Sequence, residues 1–223
     1  MTDQAVLQIT QKSMKTNPFK DRDLNSELRF PTLSWSSYQA FTEYNKEEWY
    51  QKYVLGNRGH VNSAMQAGIE IGERLATSPK YLPEVPRPEI YEYTIKVKFG
   101  KINLRGHIDG WSPSSKTLVE YKTTQNKKRW DDKSVLKHGQ IDFYCLLLFL
   151  KENIRPEELT ISLVSIPVEM GGDFKVKRSK EKIQIIPTKR TMIDILNFGV
   201  KLKQTFKEMQ EYVDNRRLTD TQV

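Results

Sequence analysis

Hydrophobic and polar positions along this chain fall into runs with two different periods, and the runs define the elements. Trp35, Tyr38, Phe41, Tyr44 and Trp49 recur at helical spacing from a cap at Ser34 through Tyr53. A second helix follows from Asn62 or Ser63 to Ala76, with Ala64, Met65, Gly68, Ile71, Gly72 and Leu75 as its packed face. Period-two alternation then takes over. Tyr91 to Phe99 predicts one strand, Ile102 to Trp111 a second after a turn at Gly100, and Leu118 to Thr123 a third beyond the SPSS turn. Val135 to Leu150 is a strongly apolar helix, and Leu159 to Glu169 a buried strand. Gly171 and Gly172 form a hairpin into Phe174 to Ile186. A long last helix runs from Thr188 to about Arg217, with Met192, Ile195, Leu196, Gly199, Leu202, Phe206, Met209 and Tyr212 on its apolar side. Residues 1–31 are polar, without sustained period, and predict an N-terminal arm; residues 32–217 form one domain, and 218–223 a frayed tail.

Alternation also sorts the polar residues. Glu120 and Lys122 stand two apart on one strand and share a face, and a hairpin pairing brings Asp109 beside them. Two convergent carboxylates suit a hard divalent cation such as Mg²⁺ or Mn²⁺, and the lysine suits an attacking water or a charged phosphoryl group. Taken alone, the same residues also read as an Asp closing a strand and an exposed Glu/Lys pair on an edge. Gln140 and Tyr144, at i and i+4, share a face of the apolar helix.

Composition narrows the partners. The chain has 223 residues, a formal net charge of +8 and a sizeable aromatic complement of four Trp, ten Tyr and nine Phe. No apolar run reaches the length of a membrane span, and the N-terminus lacks an apolar signal core, which places the protein in a cytoplasm. The lone Cys145 excludes an internal disulfide or a four-cysteine centre. Cations concentrate between Gln125 and His138, where Lys127, Lys128 and Arg129 flank Trp130, and again between Lys175 and Arg190. Such stretches suit a polyanion. Trp130 reads equally as a base-stacking ring or as a cap on the core, and the aromatic stripe from Trp35 carries the same two readings. No glycine-rich phosphate loop, His-x-x-x-His or nucleophile elbow is present, which removes kinase, P-loop, zinc-hydrolase and serine-hydrolase chemistry.

Asp109, then Glu120-Tyr121-Lys122, then Gln140-xxx-Tyr144, preceded by LSWSSYQAFTEYNKEEWYQKYVLG, resembles the RecB-like branch of the PD-(D/E)xK nuclease superfamily. The resemblance covers roughly residues 33 to 150. It implies an α/β, restriction-endonuclease-like core: a central mixed β-sheet flanked by α-helices. It further implies metal-dependent DNA cleavage, exonuclease-like, with Mg²⁺ or Mn²⁺ held by Asp109, Glu120 and the Tyr121 carbonyl. Lys122 then orients water, and Gln140 and Tyr144 steady the site. Branch members that carry an iron–sulfur cluster need four cysteines, which this chain lacks. Branch members also place a metal-ligating histidine on the second helix four residues after a glycine; counting from Gly68, that position is Gly72. His60, Glu70 and Glu73 lie nearby, Glu73 as a substitute ligand. Two other readings share the fold: a nucleic-acid-binding protein that has lost catalysis, and a module that docks onto protein partners.

Overall fold

A computed structural model describes residues 29–57, 63–125, 130–170 and 176–220. The elements in chain order are β1 (Thr32–Leu33), α1 (Trp35–Glu43), α2 (Lys46–Trp49) running into a π-turn (Tyr50–Val54), and α3 (Ser63–Thr77). Strands β2 (Ile90–Phe99), β3 (Ile102–Ser112) and β4 (Thr117–Thr124) follow. The rest comprises α4 (Asp132–Leu136), α5 (Gly139–Glu152), β5 (Thr160–Met170), β6 (Val176–Arg178), β7 (Gln184–Thr188) and α6 (Met192–Asp220).

The sheet is mixed. β3 pairs antiparallel with β2 and β4, β4 runs parallel to β5, and β7 pairs antiparallel with β5. A β4-to-β5 parallel pair requires a crossover, and α5 supplies it. Each face of the sheet carries its own apolar cluster. On one side Ile95, Ile108, Leu118 and Leu163 meet α5, α6 and the aromatic helices α1 and α2. On the other, Val119, Val164 and Ile166 meet Ile71 and Leu75 of α3.

Several boundaries differ from those expected, each for a local reason. The first helix is not continuous to Tyr53: Asn45 accepts from the N–H groups of Glu47 and Glu48 and starts a new helix after Tyr44, which is 72% exposed. The helix expected from Val135 is two helices. Asp131 and Ser134 form a reciprocal cap on α4, which ends at Lys137, and α5 starts afresh at Gly139. The strand expected over 174–186 is also two, β6 pairing with the end of β5 and β7 with its start. Met65 and Leu196, placed on packed faces by periodicity, are exposed, while Ala67 and Phe198 take the buried positions. The last helix begins at Met192 rather than Thr188, because Asp194 accepts from the Thr191 N–H and hydroxyl, and it continues to Asp220. The Gly171-Gly172 hairpin, His60 and most of the N-terminal arm lie outside the described residues.

Candidate active site

The β3–β4 pairing is closed next to the turn, where β3 ends and β4 begins, and open beyond it. Gly110 pairs with Val119, Trp111 with Leu118 and Ser112 with Thr117. One step further, at Asp109 and Glu120, the backbone ladder stops. The Tyr121 N–H donates to Asp109 Oδ2 at 3.0 Å, so a side-chain carboxylate has replaced the partner strand's carbonyl. That exchange satisfies the amide while letting the strands part. The gap between them is a cleft of about 530 Å³, lined by Asp109, Glu120, Lys122 and Gln140, with Gly68 and Gly72 from α3.

Glu120 is completely buried, and Lys122 Nζ lies 2.6 Å from its Oε1. The contact is ionic; neither Glu120 oxygen makes a well-aligned hydrogen bond. Burial, and then the nearby charge of Asp109, push the Glu120 carboxyl far up, to about 8, and Lys122 offsets this only in part. A buried carboxyl with its acidity suppressed beside a second carboxylate is costly to ionise without a cation.

Lys122 is held from the other side by α5. Its Nζ donates to Gln140 Oε1 at 2.7 Å, Gln140 Nε2 donates to Tyr144 Oη at 2.8 Å, and the Tyr144 hydroxyl donates to the His107 carbonyl. This chain returns to the strand that carries Asp109, so β3, β4 and α5 are tied at one point. Two glycines permit the approach. A Cβ at Gly106 would stand 2.3 Å from Leu147 Cδ1, and one at Gly139 2.7 Å from Trp35 Cη2. Arg190, the last residue of the second basic stretch, is buried and fixes the start of α5. It donates to the Val135 and His138 carbonyls and to Thr188 Oγ1, and pairs with Asp142. Arg87 does the same for α3, donating to the Leu75, Ser78 and Tyr81 carbonyls near that helix's C-terminus.

The structure thus brings together Asp109, Glu120, Lys122, Gln140 and Tyr144. The Tyr121 ring turns away to the opposite face, against Tyr91, with its hydroxyl donating to the Pro86 carbonyl at 2.7 Å. Burial raises that phenol's pKa. Lys127, Lys128 and Arg129 lie outside the described residues. Trp130 packs at the edge of the core with its ring 4.9 Å from that of His138, which supports the capping role over the stacking one. Gly72 lies on the cleft wall as expected and offers no side-chain donor, and Gln66 takes Glu70 as its partner. Glu92 also lines the cleft and was not singled out, because the alternation of β2 treats it as an ordinary outward position.

Among the described residues no three His, Cys, Asp or Glu side chains are gathered into a finished metal cluster. The donors nonetheless fit a hard divalent cation. Asp109 and Glu120 offer oxygen only, and Glu120 is buried with no aligned hydrogen-bond donor. No helix among the described residues is long and apolar enough to cross a membrane.

A family model described as the PD-(D/E)XK nuclease superfamily matches residues 29–220. No curated protein matches the chain in sequence. Solved structures resemble it in fold. A conjectured exonuclease from Eubacterium rectale aligns at TM-score 0.54 and 12% identity, covering 81% of this chain and 82% of its own. A phage-related exonuclease from Haemophilus somnus gives 0.53 and 11%, covering 77% and 82%. LHK-Exo, solved with dAMP, gives 0.51 and 14%, covering 85% and 93%. At these identities the likeness is one of fold: an α/β core with a mixed central sheet and flanking helices, of the restriction-endonuclease-like kind.

Proposed function

This chain belongs to the PD-(D/E)XK nuclease superfamily, and on that premise we propose that it is a divalent-metal-dependent deoxyribonuclease of the RecB-like branch. The observation that carries the reading is the parting of β3 and β4 around Asp109, Glu120 and Lys122, with Lys122 held by Gln140 and Tyr144. The Gln140-xxx-Tyr144 pair supports the branch. The exonuclease mode takes its support from the exonuclease names of the similar structures. The active unit is a single domain from residue 32 to 217.

Asp109 and Glu120 would hold Mg²⁺ or Mn²⁺, with the Tyr121 carbonyl as a further oxygen. When bound, the ion polarises a phosphoryl oxygen and makes hydroxide accessible near neutral pH. The chain's residues do the remainder. Lys122 presents its ammonium to the attacking water and to charge growing on the phosphate. Gln140 and Tyr144 keep the ammonium within reach by fixing its direction. The cations of 125–138 and 175–190, other than Arg190, track the DNA backbone.

Linear duplex DNA incubated with the protein in Mg²⁺, in Mn²⁺ and in EDTA tests this. Nucleotide release in either metal and none in EDTA is the expected result. Salt-dependent DNA binding without cleavage in either metal would instead identify a binding protein on the same fold.

A further inference from the structure

Strand β2 turns over at Glu92, whose backbone is left-handed, φ +52°, inside the strand. Before that point Tyr91 stacks on Tyr121 on the α3 side of the sheet; beyond it Tyr93, Ile95 and Val97 join the apolar cluster on the α5 side. The alternate residues Thr94, Lys96 and Lys98 therefore emerge on the α3 side, where the cleft opens, and all three are exposed. β3 presents His107, Arg105 and Asn103 on the same side, since Leu104, Gly106 and Ile108 pack towards α5. The register sets these residues in rows: Thr94 beside His107, Lys96 beside Arg105, and Lys98 beside Asn103, with Thr32 of β1 on the far side of Asn103. A hydrogen bond of 2.8 Å joins Thr94 Oγ1 and His107 Nδ1 in the first row. The other two rows line a groove of about 510 Å³.

Cations directly opposite one another on neighbouring strands repel and destabilise a sheet, as Lys96 and Arg105 must. Lysines on an edge strand have an ordinary use, since they keep sheets from joining edge to edge, and among the described residues β2 pairs only with β3. That use does not extend to Arg105, which sits on the inner strand between β2 and β1 and is 8% exposed. A nearly buried guanidinium flanked by two exposed ammonium groups is a donor set for a phosphodiester: a rigid fork for its oxygens, with point charges beside it. The strand itself connects the groove to the cleft. β3 runs from Arg105 through His107 to Asp109, about 13 Å, which is the rise of about four nucleotides in a duplex. The His107 carbonyl on that path accepts from Tyr144. We propose that Lys96, Lys98 and Arg105 form a subsite for a backbone phosphate of the DNA, a few nucleotides from the scissile one. The subsite presupposes the nuclease reading above and adds a substrate contact that lies outside both basic stretches of the sequence.

The test is the salt dependence of binding to a short linear duplex, measured in EDTA so that nothing is cleaved, together with Mg²⁺-dependent nucleotide release and a thermal melt of each protein. Lys96→Gln combined with Lys98→Gln removes two exposed charges; the slope of log affinity against log salt should flatten by about 2, and affinity at 0.1 M salt should fall about tenfold or more. Its KM for DNA should rise while kcat at saturating DNA stays near wild type. Arg105→Lys keeps the charge and loses the fork, so affinity should fall with the slope unchanged. Lys151→Gln combined with Lys207→Gln, exposed cations on α5 and α6, is the control for net charge and should bind as wild type does. Wild-type affinity in both groove variants, or an equal loss in the control, would overturn the subsite and leave the nuclease reading standing if wild type releases nucleotides. Groove-dependent binding without release would keep the subsite and sink the nuclease reading. Wild type that neither binds nor cleaves DNA would overturn both.

Discussion

Tyr144→Phe removes one oxygen from a fully packed position and leaves the ring. Tyr144 is 4% exposed, so the phenyl group keeps its place while the Gln140 amide loses its acceptor and the His107 carbonyl its donor. Two hydrogen bonds worth about 0.5–1.5 kcal/mol each, made in a partly buried setting, put the loss of stability at roughly 1–3 kcal/mol. For a chain of this size each kcal/mol moves the melting temperature by about 2–4 °C, so the expected drop is roughly 2–12 °C. The effect on catalysis has a different origin. Gln140 would be free to rotate, and Lys122 would lose the partner that sets its direction away from Glu120. A misplaced catalytic group of this kind costs roughly 10–100-fold. The loss should appear in kcat with KM little changed, since Tyr144 reaches the cleft only through Gln140. Thermal denaturation and steady-state hydrolysis of linear DNA measure the two effects. Gln140→Ala combined with Tyr144→Phe should be no slower than Gln140→Ala alone, because both break one chain of contacts. A Tyr144→Phe protein with wild-type melting temperature and wild-type kcat would refute the reasoning.

Gly106→Ala should lower stability by about 1–3 kcal/mol, because its Cβ would stand 2.3 Å from a fully buried Leu147 and α5 must shift; a melt matching wild type would show that the core absorbs it. Cys145, whose burial raises its thiol to about 12, should resist alkylation at pH 8 in the native protein and react only after unfolding, as mass spectrometry of the modified chain would show. Glu120 binds its proton more tightly in the folded state than at its ordinary 4.5, so the stability it contributes is complete below about 4.5 and is lost as pH rises towards about 8. Metal-free wild type should therefore lose melting temperature across that window relative to Glu120→Gln; parallel curves would contradict the shift.

Periodicity and spacing made much of this legible. Alternation put Glu120 and Lys122 on one face and Asp109 beside them, because strand geometry leaves little freedom there. The i, i+4 spacing likewise placed Gln140 and Tyr144 in contact. Helix breaks were not legible, because Asn45 and Asp131 act as caps within apolar patterns that continue on either side. Arg190 was misread for a related reason. A cation in a basic run looks solvated until the carbonyls of Val135 and His138 and the carboxylate of Asp142 converge on it from a distant segment. Glu92 left no signal at all: a left-handed residue within an unbroken alternating strand has no composition or spacing to mark it.

The central claim is that Asp109, Glu120 and Lys122 form one hydrolytic centre, and one paired measurement bears on it most directly. Mg²⁺-dependent release of nucleotides from linear DNA is followed for wild type, Asp109→Asn, Glu120→Gln and Lys122→Met, with DNA affinity determined for each in parallel. The account predicts cleavage by wild type alone, a fall of at least about a thousandfold in each variant, and DNA affinities within a few-fold of one another. Cleavage that persists in any of the three variants, or that wild type fails to show in either Mg²⁺ or Mn²⁺, would contradict it.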